Sequence, residues 1–214
     1  MKLFYQTIAL LAVVSLSLLA TPTQATDIAP TAEQVRPLLN GMTVPAIMVQ
    51  DQQGKAIDLT SKITAQPTVL VFYRGGWCPY CNTQLAGLQQ IQAELTKLGY
   101  QVIAISPEAP MAVSKSQQNT KDIALSYTLL SDEKLSAAKA FGVAYYLDAK
   151  TTALYKGTYG INLTYDSSGQ AVLPAPAVYI LNTKAEVQFS YVHVNYKTRL
   201  QPELLLLAAK LAKG

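Results

Sequence analysis

The stretch Val69-Leu70-Val71-Phe72-Tyr73-Arg74-Gly75-Gly76-Trp77-Cys78-Pro79-Tyr80-Cys81 decides how the chain is read. It runs as a buried strand, a glycine turn and two cysteines at the mouth of a helix, whose apolar positions Leu85, Leu88, Ile91, Leu95 and Leu98 recur at helical spacing. These are the only two cysteines among 214 residues. Strand, loop, Cys-x-x-Cys and helix in that order form a thiol redox unit.

The spacing carries a physical reason. Cys78 falls at or just before the first helical turn, where backbone N–H groups lack partners and the helix dipole is positive, so thiolate is favoured over thiol. Pro79 suits the first helical position because its ring presets φ and it has no N–H to satisfy. Cys81 follows three residues later on the same helical face, within reach of a sulfur–sulfur bond. One cysteine can then attack and the other resolve the adduct as an internal disulfide. Trp77 is placed to shield the pair and Arg74 to add positive charge, although loop packing and an ordinary surface arginine explain the two residue types equally well.

Other uses of the pair are weaker. A structural disulfide closing so short a loop constrains the unfolded chain little. A tetrahedral zinc site takes four ligands, and the chain offers two thiols and one histidine, His193. No metal or cofactor is therefore expected.

Outward from the cysteines, residues 1–25 read as a secretory signal peptide. Lys2 is the positive flank, Ile8 to Ala20 is an apolar run short for a bilayer span, and Thr23-Gln24-Ala25 supplies small residues for cleavage. An uncleaved anchor is the competing reading. Cleavage leaves residues 26–214, one domain of ordinary size, exported to the periplasm or secreted. Outside a reducing cytosol the pair tends toward the disulfide, so repeated turnover implies an external thiol reductant. The formal charge of +4, less Lys2, is too mild and its lysines too scattered for a nucleic-acid partner. No later apolar run is long enough for a membrane span once the signal is removed.

The remaining pattern predicts a mixed central sheet flanked by helices. A short helix is expected over Thr31 to Leu39, then a hairpin from Val44 to Val49 and Ala56 to Leu59, and the central strand Pro67 to Tyr73. After the cysteine helix come a strand at Gln101 to Ser106, a helix at Pro110 to Leu125, a strand at Tyr127 to Leu130 and a helix at Glu133 to Phe141 closed by Gly142. An insertion at about 145–173, rich in tyrosine and glycine, interrupts the rhythm. Strands Ala177 to Leu181 and Glu186 to Val194 form a final hairpin, and Pro202 to Lys213 a closing helix with Leu204, Leu207, Ala208 and Leu211 on its apolar face.

Several segments in one order resemble the peroxiredoxin-like proteins of the AhpC/TSA family within the thioredoxin superfamily. They are Phe72 to Asn82, Ala104-Ile105-Ser106-Pro107-Glu108, Leu129-Leu130-Ser131-Asp132, Phe141-Gly142-Val143, Pro174-Ala175-Pro176-Ala177 and Tyr196-Lys197-Thr198-Arg199. The resemblance implies a thioredoxin-like α/β fold, an antioxidant activity on peroxide, and Pro176 as the cis-proline facing the cysteines. It also carries a departure. Typical peroxiredoxins have Pro-x-x-x-Thr-x-x-Cys, which puts Arg74 in place of the proline, Cys78 in place of the threonine and Cys81 at the peroxide-reacting position. Thioredoxin-like chemistry assigns the roles the other way. The helix terminus favours Cys78 as nucleophile, because thiolate stabilisation and access both decline into the helix.

His193 shares a strand face with Phe189 and Tyr191 and reads as a hydrogen-bonded, half-buried histidine rather than a copper ligand. Asn162-Leu163-Thr164 fits a glycosylation acceptor but is too short to act on. The expected activity is thiol-dependent reduction of peroxide or exchange with protein disulfides through Cys78 and Cys81. The alternative is a non-catalytic copper-binding or partner-binding module of the same fold.

Overall fold

The computed structural model describes residues 27–119 and 127–213. The signal-peptide segment lies outside the described residues.

Strand β1 (Met48–Gln50) and β2 (Ala56–Asp58) form the predicted hairpin, helix α1 (Leu59–Ala65) follows, and β3 (Thr68–Phe72) is the strand that leads to the cysteines. Every residue of β3 is buried. Its side chains alternate between two cores: Leu70 and Phe72 pack with Ile103, Ile105, Phe141 and Tyr179 on one face, and Val69, Val71 and Tyr73 pack with Cys78, Cys81, Leu85 and Leu88 on the other. An unbroken apolar strand follows from a sheet covered on both faces.

The cysteine helix α2 (Pro79–Lys97) returns the chain to β4 (Gln101–Ser106), which pairs in parallel with β3. Helix α3 (Pro110–Asn119) is the described part of the predicted Pro110 to Leu125 helix, and β5 (Thr128–Ser131) pairs in parallel with β4. Beyond α4 (Ser136–Ala140), strands β6 (Ala144–Tyr146), β7 (Thr164–Tyr165) and β8 (Ala171–Pro174) build a separate sheet in the order β6-β8-β7. Between β6 and β7 lie α5 (Ala149–Ala153) and a π-helical turn, Leu154–Thr158. Strand β9 (Ala177–Leu181) inserts antiparallel beside β3, β10 (Val187–Val192) pairs with β9, and α6 (Pro202–Ala212) closes the chain. The main sheet has the order β10-β9-β3-β4-β5-β1-β2, the mixed α/β architecture expected of a thioredoxin-like fold.

Three expectations are corrected and one helix is added. Only Ala32–Gln34 turns helically, as a 3-10 turn. Pro37 cannot donate to a helix ladder, and the chain there runs extended, with the N–H groups of Arg36 and Leu38 donating to the carbonyls of Gly142 (3.0 Å) and Phe141 (3.1 Å). Helix α1 had no counterpart in the sequence reading. Asp58 caps it by accepting from the backbone N–H (2.9 Å) and hydroxyl (2.6 Å) of Ser61. Helix α4 starts at Ser136 rather than Glu133, because the buried Asp132 carboxylate takes the N–H groups of Ala137 and Ala138 at 2.9 and 2.8 Å. In α6 the buried face is Leu205 and Ala209, whereas Leu204, Leu207 and Leu211 are 50, 52 and 73% exposed. Gly87 of α2 lies so close to Pro202 that an added Cβ would meet its ring at 2.8 Å, which fixes how α6 rolls onto α2.

Candidate active site

The loop from β3 to α2 is held by its glycines and by one acid. Gly75 sits at φ +147°, and a Cβ there would collide with Trp77 and come within 2.8 Å of the Glu108 carboxyl carbon. The Gly76 N–H donates to Glu108 Oε2 at 2.9 Å, and Asn82 Nδ2 donates to the Gly76 carbonyl at 2.9 Å. The Cys78 N–H donates to the Gly75 carbonyl at 3.1 Å, closing the turn.

Cys78 is the N-cap of α2 and Pro79 its first residue, as the spacing requires. Its carbonyl accepts from the N–H groups of Cys81 (3.0 Å) and Asn82 (3.1 Å). Both cysteines are free thiols and both are buried, yet they differ in acidity. Cys78 is lowered from the ordinary 9.0 to about 6: the Cys81 thiol donating to its sulfur contributes most, burial opposes, and the Cys81 N–H and the charges of Arg74 and Arg199 add to the lowering. Cys81 moves the other way, pushed well above the ordinary value by burial first and then by its hydrogen bond to Cys78. The two shifts bias ionisation toward the sulfur at the helix start and keep the proton on the one behind it.

Two guanidinium groups frame the sulfurs. Arg74 is buried, its Nη2 donates to the Tyr155 hydroxyl at 2.9 Å, and its guanidinium carbon lies 5.1, 5.2 and 4.2 Å from the ring centres of Trp77, Tyr155 and Tyr196. Trp77 stands edge-on to Tyr155 at 5.4 Å and packs on the core that contains both cysteines. Arg199 was not singled out as a site residue. Its Nη2 lies 3.3 Å from Cys81 Sγ and 3.9 Å from Cys78 Sγ, and its Nη1 is 3.3 Å from Gln84 Oε1. It reaches the cysteines from well over a hundred residues away in sequence, so only the Tyr196 to Arg199 segment quoted for the resemblance hinted at it.

The insertion roofs this centre. A cleft of about 580 Å³ opens onto Cys78 and is walled by Trp77, Leu154, Tyr155, Tyr159, Ile161 and Tyr196. The cis bond expected before Pro176 is not formed. Every peptide bond among the described residues is trans. Pro176 joins β8 to β9: the Ala175 N–H donates to the Val143 carbonyl (2.9 Å), Ala177 enters the β9 ladder, and the Pro176 carbonyl accepts the His193 N–H at 3.1 Å. His193 is half-buried, stacks on Tyr191 and accepts the Asn195 N–H on Nδ1 at 3.0 Å. Among the described residues no group of three His, Cys, Asp or Glu side chains is gathered for a metal. No helix of the described residues is long and apolar enough to cross a membrane.

A thioredoxin-type sheet that offers a helix-start cysteine of lowered pKa, with a second thiol and a guanidinium beside it, defines a thiol-based oxidoreductase. The chain belongs to the AhpC/TSA family, whose profile matches residues 41–190. It is 37% identical over 109 residues to a putative peroxiredoxin bcp of Haemophilus influenzae, covering 51% of this chain and 68% of that protein. It is 31% identical over 136 residues to peroxiredoxin Bcp of Escherichia coli K12, covering 64% and 84%. The crystal structure of peroxidoxin BcpB from Mycobacterium tuberculosis superposes with a TM-score of 0.62 at 18% identity, covering 80% of this chain and 96% of that one. The chain is accordingly a peroxiredoxin-like, thiol-dependent peroxidase.

Proposed function

We propose that Cys78 is the thiol that attacks peroxide and Cys81 the thiol that resolves. The Cys78 thiolate sulfur bonds to one peroxide oxygen, the O–O bond breaks, and the departing oxygen takes a proton to leave as an alcohol or as water. Cys78 is then a sulfenic acid, oxidised by two electrons. Cys81 displaces the hydroxyl, which leaves as water, and the two sulfurs join. An external thiol reductant returns the disulfide to two thiols and is itself oxidised to a disulfide. Arg199 and Arg74 offset negative charge on the sulfurs.

The observation that supports this order is the opposite displacement of the two pKa values, Cys78 to about 6 and Cys81 upward, at adjacent buried sulfurs. The aromatic and aliphatic walls of the cleft favour hydroperoxides with an apolar body over hydrogen peroxide. We further propose export, which the signal-peptide pattern of residues 1–25 supports: Lys2, the apolar run Ile8 to Ala20 and the small residues at Thr23 to Ala25. The decisive experiment is stopped-flow oxidation of the reduced protein by an alkyl hydroperoxide, by hydrogen peroxide and by a model protein disulfide. Peroxide rates that exceed the disulfide rate by orders of magnitude support the proposal, and the reverse order makes the protein a disulfide exchanger. The mass of the mature chain purified from the exporting cell tests the cleavage site.

A further inference from the structure

Arg74 is a cation that the fold buries without giving it a carboxylate. It is 2% exposed. Its Nη2 donates to the Tyr155 hydroxyl, its Nε has no hydrogen-bond partner, and its guanidinium carbon stands 4.2 Å from the centre of the Tyr196 ring. Glu33 and Asp148 line a neighbouring hollow that also touches Arg74, but among the described residues no Asp or Glu oxygen bonds to it. A buried charge is costly unless an anion meets it.

Arg74 and Cys78 line the same cleft of about 580 Å³, and among the described residues that line it Arg74 is the one of fixed charge. While Cys78 is reduced, its own sulfur supplies the anion: behind the hydrogen bond from Cys81, the charges of Arg74 and Arg199 favour the thiolate. Once the two sulfurs are joined, both are neutral. Arg199 still has Gln84 Oε1 at 3.3 Å, whereas Arg74 is left on the cleft with no anion. The oxidised protein is therefore the form whose cleft attracts a negative group, and the molecule that enters the oxidised protein is the reductant. Cys78 and Cys81 are 1 and 0% exposed, so a reductant reaches the sulfurs through the cleft, whose volume suits a small molecule.

We infer that the reductant of the Cys78–Cys81 disulfide is a small thiol bearing a carboxylate, which Arg74 holds while the thiol sulfur attacks Cys78. This rests on the disulfide cycle proposed above. The guanidinium fork matches a carboxylate in shape as well as charge. A first reductant thiolate bonds to the Cys78 sulfur, the bond to Cys81 breaks, and Cys81 leaves as a thiolate beside Arg199, 3.3 Å away. A second reductant thiol gives its proton to Cys81 and, as a thiolate, displaces Cys78 from the mixed disulfide. The sum is Cys78–S–S–Cys81 plus RS⁻ plus RSH giving Cys78–S⁻, HS–Cys81 and RS–SR, with two electrons passing from the reductant to the protein sulfurs. The restored Cys78 thiolate then competes with the carboxylate for Arg74, which favours release of the product.

The test starts from the full chain oxidised to its disulfide with diamide, so that no peroxide step enters, and follows reduction by the fluorescence of Trp77, its one tryptophan. The probes are 3-mercaptopropionate and its amide, which match in size, each rate being divided by that of the same thiol with a small symmetric disulfide in solution. The carboxylate should lead by about tenfold or more in wild type, and Arg74→Gln should bring the two within about twofold of each other. Equal corrected rates in wild type, or a lead that survives in the variant, overturn the inference. Should the variant fold poorly, propionate, which has no thiol, decides on the wild-type protein: competition against 3-mercaptopropionate supports the Arg74 subsite, and its absence overturns it. A thioredoxin-type protein dithiol that reduces the disulfide orders of magnitude faster than 3-mercaptopropionate also overturns it. Preference for the carboxylate thiol in a protein inert to peroxide would refute the peroxidase reading and uphold this inference, and peroxide turnover without that preference would do the opposite.

Discussion

Replacing Cys81 by alanine should make Cys78 a weaker acid by an amount the structure bounds. The Cys81 thiol is the largest contributor to the lowering of Cys78 from 9.0 to about 6. A hydrogen bond to an ionised group is worth about 1.5–3 kcal/mol, and one pKa unit is about 1.36 kcal/mol. Losing it therefore raises the Cys78 pKa by about one to two units, to about 7–8. The helix start, the Cys81 N–H and the two arginines account for the rest of the lowering and stay in place. At pH 7 the thiolate fraction falls from about nine-tenths to between about one-half and one-tenth, so alkylation slows about two- to tenfold. Because the chain has two cysteines, the Cys81→Ala protein carries one thiol, and the pH dependence of its reaction with iodoacetamide reads that thiol alone. Cys81→Ser, which keeps a hydroxyl donor, should titrate closer to wild type. A Cys81→Ala protein still titrating near 6, or a Cys78→Ala protein whose remaining thiol titrates near 6, would refute the reasoning.

Other consequences follow from the same contacts. Arg199→Met removes the charge 3.9 Å from Cys78 and 3.3 Å from Cys81, so the Cys78 alkylation midpoint should rise by about one unit and peroxide turnover should fall more than tenfold, while Arg199→Lys recovers part of each. Phe72→Ala empties a fully buried site between Phe141 and Tyr179 and should cost about 3–5 kcal/mol in urea unfolding. Reduced Cys81→Ser should grow more stable as pH rises from about 6 toward 9, since a folded-state pKa of about 6 means the native protein binds fewer protons than the unfolded chain in that window. That stability is fully present above the unfolded value and lost as pH falls through the folded one. Thermal unfolding at a series of pH values checks it, and Cys78→Ser should lack the rise.

The centre of the fold was legible because its signals are local. An all-apolar strand, two glycines and a proline one residue into a helix each restrict backbone and burial within a few residues, and β3 and α2 formed where those restrictions point. What stayed hidden depends on distant partners. The Thr31 to Leu39 segment has helical spacing, but the free N–H groups on either side of Pro37 found carbonyls at Phe141 and Gly142 instead. Leu204, Leu207 and Leu211 look like the apolar face of α6, yet the close approach allowed by Gly87 turns Leu205 and Ala209 inward. Arg199 and Glu108 are ordinary charged residues in sequence. Only the packing of the end of the chain on α2 brings Arg199 to the sulfurs, and only the pairing of β3 with β4 brings Glu108 to the Gly76 N–H, whereas Arg74, four residues before Cys78, was recognisable from proximity.

The account stands or falls on which sulfur peroxide oxidises first. Reduced Cys81→Ser and Cys78→Ser proteins, each given one equivalent of hydroperoxide in the presence of a sulfenic-acid trap and digested for peptide mass analysis, report it directly. The adduct is predicted on Cys78 in the first protein, with no adduct on Cys81 in the second. Rapid labelling of Cys81 in the second, with Cys78 inert in the first, would contradict it.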